Sequence, residues 1–169
     1  MYRSIQIISF LVYSSLPLSG NELIDYLKQY EGRWLGDFTI HSTASGYSDT
    51  FPVEQRYWWE DGQLHGISVS DMNNGLQAAK SRTFIQDNKL QSEVITGEGT
   101  EQFFGFLRDG GIVWISADMK RANDYQTAEH FAIEEGRPVL LTEGFDSYVY
   151  SEGLAHLVFR GRLFKQGSK

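Results

Sequence analysis

The stretch Gly32-Arg33-Trp34-Leu35-Gly36 decides how the chain is read, because the hydrophobic period changes there. Before it, Leu23, Ile24, Leu27 and Tyr30 recur at helical spacing behind Asn21, a residue type that caps helices well. A short helix of about two and a half turns is expected, ended by Glu31-Gly32. From Arg33 onward the period is two, with Trp34, Phe38 and Ile40 alternating with Arg33, Asp37, Thr39 and His41. The pentapeptide therefore heads a first strand.

Strand and turn signals continue from there to the C-terminal region. Asp61-Gly62 is a strong hairpin signal between strands expected at 51–60 and 63–71. Further strands are expected at 79–86, 89–97, 100–108, 111–118, 126–134, 138–150 and 154–165, which with 33–41 makes ten. Strands of this length at nearly regular spacing predict an all-β fold: a single antiparallel up-and-down β-barrel of about ten strands behind a short N-terminal helix. Closing the meander removes the edges that would otherwise aggregate. A two-sheet sandwich with Greek-key crossovers is the alternative.

Composition agrees. The chain has 169 residues, room for one domain with a proper core. Aromatics at 14% with seventeen Gly and only three Pro suit pleated surfaces joined by turns. The absence of Cys excludes disulfides, thiolate zinc sites and cysteine nucleophiles. A net charge of -7 argues against general affinity for nucleic acid or anionic membrane, which needs clustered Lys and Arg.

Residues 1–20 differ from the rest, with a lone Arg3, then Ile5, Ile7, Ile8, Phe10, Leu11, Val12, Leu16 and Leu18, and no acid until Glu22. This reads as a secretory signal peptide ahead of a barrel domain at 21–169, which implies a secreted or periplasmic protein; without that leader the protein is expected in the cytoplasm. The stretch is too short for a stable membrane span, which takes about 20 apolar residues.

A helix, then Gly32-x-Trp34-x-Gly36 on the first strand, then a hairpin meander whose last strand carries Arg160 and Arg162, resembles the lipocalin-like (calycin) barrels. That superfamily includes lipocalins, fatty-acid-binding proteins and nitrobindin-like haem barrels. The resemblance covers 21–165 in layout and a few residues in motif. It implies that Trp34 closes the barrel floor, with Arg160 or Arg162 lying over its ring as a cation on a π face. The Thr-Asp-Tyr-type turn and the disulfides of lipocalins proper are missing, so a relative in the wider superfamily is expected. Gly36 brings the motif nearer the nitrobindin-like start, which would make His156 a haem ligand. The residues around His156 lack the His- and Arg-rich ending of that group, so no cofactor is expected.

Period-two bookkeeping sorts inward from outward side chains. It places Gln55, Tyr57 and Trp59 inside on the second strand, His65 on the third, Trp114 on the seventh, and Glu129 with Phe131 near residue 130. On the last strand one face carries Leu157 and Phe159 and the other His156, Arg160 and Arg162; the apolar face inward is the plain expectation, the basic face inward the fatty-acid-binding alternative.

The inward set is aromatic with a few polar groups, the composition of a small-molecule site. A non-enzymatic binding or carrier barrel for a small hydrophobic or amphipathic ligand is therefore expected. A filled structural or protein-interaction barrel of the cell envelope is the alternative, and a barrel enzyme drawing on Glu129, His65 or His156 is a further one. The four His are scattered, with no zinc spacing, and no Gly-x-Ser-x-Gly elbow or phosphate-binding loop occurs.

Overall fold

Leu23, Leu27 and Tyr30 fall on one stripe of the N-terminal helix, and all three are buried, while Ile24 lies off the stripe and is 36% exposed. In the computed structural model, which describes residues 20–150 and 153–167, that helix is α1 (Gly20–Leu27), tightening into a 3-10 turn over Lys28–Tyr30. Asn21 lies within α1 rather than capping it. Gly32, at φ +118°, then swings the chain into the sheet, a conformation that side chains with a Cβ rarely adopt.

Among the described residues ten strands follow: β1 (Gly32–Ser42), β2 (Ser48–Glu60), β3 (Gln63–Met72), β4 (Gly75–Gln86), β5 (Lys89–Ile95), β6 (Thr100–Arg108), β7 (Gly111–Ser116), β8 (Tyr125–Glu134), β9 (Arg137–Tyr150) and β10 (Gly153–Lys165). Each pairs antiparallel with its sequence neighbours, and β1 also pairs with β10, from Trp34 opposite Lys165 to Ser42 opposite Leu157. The sheet is thus a closed up-and-down barrel, and the sandwich alternative is excluded.

The turns Asp61-Gly62, Asp87-Asn88, Asp109-Gly110 and Glu135-Gly136 hold both residues at positive φ. This is the mirror-image turn geometry whose twist matches that of the flanking strands. The up-and-down order puts all four turns at one end of the barrel, the end that α1 covers, with Asp61-Gly62 beside Ile24 and Leu27. The opposite end carries longer connections, including residues 43–47, 96–99 and 117–124.

Trp34 lies at the covered end with no solvent exposure, in a core that includes Leu27, Tyr30, Leu64, Leu90, Ile112, Leu140 and Leu163. Its Nε1 donates to the Tyr30 carbonyl at 2.6 Å. The cation over its ring is Lys165, with Nζ 5.2 Å from the centroid, which also donates to the Gln29 carbonyl at 3.1 Å. This corrects the assignment to Arg160 or Arg162. On β10 the buried residues are Ala155, Gly161 and Leu163, so Lys165 shares their face. Arg160 and Arg162 have the opposite parity; both are exposed, and Arg162 pairs with Glu134. Gly36 is required by close approach, because a Cβ there would strike the Arg162 carbonyl of the adjoining strand.

The secretory leader read at residues 1–20 falls, through residue 19, outside the described residues. Among the described residues no helix is long and apolar enough to cross a membrane.

Candidate functional site

The interior changes character along the barrel axis. Near α1 it is packed with rings: Phe131 lies 4.7 Å from Tyr30 and 5.6 Å from Trp34 between centroids. Toward the other end a cavity of about 230 Å³ opens, bounded below by Leu27, Tyr30 and Leu64. Its walls alternate hydroxyls with rings: Ser81 and Thr83 from β4, Ser92 from β5, Phe103 from β6, Trp114 from β7, Tyr125 and Thr127 from β8, and Tyr57 from β2.

Two of the large rings are seated opposite glycines. Tyr57 pairs in register with Gly66, and Trp114 with Gly105. A Cβ at Gly66 would lie 2.7 Å from the Tyr57 ring, and one at Gly105 would lie 2.6 Å from the Trp114 ring. The missing side chains let each ring lie flat along the wall, so the centre stays open.

Among the described residues, Glu129 is the one carboxylate placed deep in this space. The Tyr30 hydroxyl donates to its Oε2 at 2.8 Å, and Trp114 Nε1 donates to the same oxygen at 3.0 Å. Burial pushes the Glu129 carboxyl above its ordinary range, and the bonds from Tyr30 and Trp114 pull partly the other way. The Tyr30 phenol is pushed well up, first by burial and then by the Glu129 charge. Tyr57 and Tyr125 are raised for the same two reasons, in the same order. Tyr26, whose hydroxyl donates to the Glu129 carbonyl at 3.3 Å, is pushed up to about 12, by burial and then by the Glu129 charge. All these phenols therefore stay protonated and act as neutral hydrogen-bonding groups at physiological pH.

Elsewhere on the wall, Thr83 donates to Ser92 at 3.0 Å, and the Tyr57 hydroxyl donates to Gln55 Oε1 at 3.1 Å. Near the open end Glu101 borders the cavity and is bound by Arg121 at 2.9 Å; the same guanidinium reaches Asp146 at 2.7 Å. Arg121 thereby fastens the 117–124 connection to both β6 and β9.

Of the residues singled out from the sequence, Tyr57, Trp114 and Glu129 meet at the cavity, and Gln55 adjoins it through Tyr57. Phe131 packs below them in the ring layer. Trp59 also lies below, beside a groove of about 420 Å³ under α1, with its Nε1 buried and without a partner. His65 does not belong to the set. It stacks on Trp58 at 5.8 Å on the outer face, because its neighbours Leu64 and Gly66 are the ones turned inward.

His41, His130 and His156 likewise lie on the outer face, between inward-facing neighbours. His156 meets Ser147 Oγ through Nδ1 at 2.8 Å. An iron inside the barrel is beyond its reach, and the Glu129–His pairing imagined for a barrel enzyme is not assembled. Among the described residues no three metal-ligating side chains gather.

Sequence reasoning missed Tyr30 as a site residue, since its spacing marks it simply as helix core. It also missed the hydroxyl lining, although Ser81 and Thr83 alternating with Lys80, Arg82 and Phe84 carry the signal of a small polar inner face. No protein-family model matches the chain, and no curated protein matches its sequence.

Proposed function

We propose that the protein is a non-enzymatic binding barrel that takes up one small amphipathic molecule reversibly in the cavity around Glu129. One observation carries this reading: a barrel that packs its rings tightly at one end leaves, beside them, a hollow of about 230 Å³ walled by hydroxyls, phenols and a carboxylate. A chain selected only for stability gains by filling such a space, since each void forfeits contacts on its walls.

The size and lining narrow the ligand. Drug-sized sites run to about 300–1,000 Å³, so this one suits a more compact molecule. The polar lining favours the amphipathic over the wholly apolar ligand. Acids without an inward Arg disfavour a fatty-acid carboxylate. The closed ten-strand meander with Gly32-x-Trp34-x-Gly36 at its head supports kinship with the calycin barrels, and ten strands rather than the eight of lipocalins favour a place outside lipocalins proper. With the leader read at residues 1–20, the carrier would work outside the cytoplasm.

A thermal-shift screen of small amines, alcohols, acids and sugars tests the reading. A ligand that binds only the folded form raises the apparent melting temperature by mass action. The expected result is a concentration-dependent shift for compact amphipathic molecules that Val94→Trp, which places a ring in the cavity from a half-buried lining position, abolishes. No shift with any compound class would favour the filled envelope module instead.

A further inference from the structure

We propose that the cavity selects a compact organic cation, with an arylalkyl ammonium as the best match, and that Glu129 is its counterion. This rests on the binding reading above and specifies its ligand class.

The charge balance points there first. A carboxylate held away from water needs a cation or a full set of donors. Glu129 receives the Tyr30 and Trp114 donors on Oε2 alone, and among the described residues lining the cavity there is no Lys, Arg or His. An indole N–H only donates, so Oε2 is fixed as an acceptor, and Oε1 takes neither bond. The other acid at the cavity, Glu101, already has its partner in Arg121. A ligand ammonium would supply the missing positive charge. An anion would meet the Glu129 carboxylate with no cation among the described lining residues to offset it, and a neutral polyol would leave the Glu129 charge uncompensated.

The walls fit the same class. Tyr30, Tyr57, Trp114, Phe103 and Tyr125 line the same cavity as the carboxylate, and such rings have electron-rich faces that attract ammonium groups and edges that pack on an aromatic body. The volume sets the length. An apolar cavity of about 150 Å³ holds a benzene ring, so 230 Å³ accommodates a ring with an arm of two or three atoms.

The experiment is calorimetric titration of the full chain with three probes of one shape: phenethylamine, 2-phenylethanol and 3-phenylpropionate. The amine is expected to bind about tenfold or more tighter than the alcohol, as a desolvated charge pair requires, with the acid weakest. Glu129→Gln, which keeps the side-chain volume and an acceptor for Tyr30 and Trp114, should erase the preference, so that amine and alcohol bind that variant equally. If alcohol and amine bind wild type equally, or the preference persists in Glu129→Gln, the cation assignment is overturned while the binding cavity stands. If none of the three binds wild type, both readings fall. The wild-type comparison decides without the variant, so a misfolded substitution would not rescue the proposal.

Discussion

The Tyr30 hydroxyl, on the 3-10 turn beneath the barrel, donates to Glu129 on β8 at 2.8 Å across 99 residues of sequence. The contact joins the helix that closes one end to the carboxylate at the heart of the cavity. Tyr30 also accepts the Trp34 indole bond through its carbonyl, so one residue ties floor and site together. Disturbing the helix should therefore be felt in binding.

Glu129→Gln should stabilise the empty protein at neutral pH. Burial raises the folded-state carboxyl above its unfolded value, so the folded protein holds this proton more tightly. Relative stability from this group is full below the unfolded value near 4.5 and is lost as pH rises through the raised folded value. Urea unfolding at pH 7 should show the variant ahead of wild type, with the gap closing toward pH 4. A wild type that gains on the variant as pH rises would contradict the assignment.

Trp34→Ala should cost roughly 3–5 kcal/mol in chemical unfolding, the range for deleting a fully buried large ring. Lys165→Met keeps the aliphatic stem over the indole and removes the charge, so about 0.5–1 kcal/mol is expected from it. Equal losses from the two substitutions would show that the ring is not the floor.

Gly105→Ala places a methyl 2.6 Å from the Trp114 ring and 2.7 Å from Leu90. Overpacking of this kind costs about 1–3 kcal/mol. Displacing Trp114 also breaks its bond to Glu129, so a shifted tryptophan emission should accompany the loss. Unchanged emission would mean the ring does not move.

Arg121→Ala removes both ties of the 117–124 connection, to Glu101 and to Asp146. These groups are more than a third exposed, so the change in global stability should stay within about 1 kcal/mol. Amide exchange in residues 117–124 should nevertheless quicken, because local opening is governed by local ties. Unaltered exchange there would show that the connection is held by its backbone alone.

His65→Ala should leave ligand binding untouched, since that ring stacks on Trp58 outside the barrel. A titration matching wild type checks this, and a weakened affinity would contradict it.

The layout was legible because its signals are local. Alternation along β2, β7 and β8 is a property of neighbouring residues, and it placed Tyr57, Trp114 and Glu129 inward. Asp61-Gly62 and the turns like it mark hairpins through their own backbone preferences. The third strand was misread because both of its faces are mixed: His65, Ile67 and Val69 look as suited to an interior as Leu64, Gly66 and Ser68. Cross-strand fit decides the matter, since only Gly66 leaves room for the Tyr57 ring.

The sequence by itself thus determined ten strands, their order, their turns and a tryptophan at the head of the first, because each depends on residues close in the chain. Only the tertiary structure decided that Lys165 rather than an arginine covers Trp34, that Tyr30 and Trp114 converge on one oxygen of Glu129, and that the space beside them stays hollow. Those outcomes depend on barrel closure, which sets residues tens of positions apart side by side in a register that no local pattern encodes.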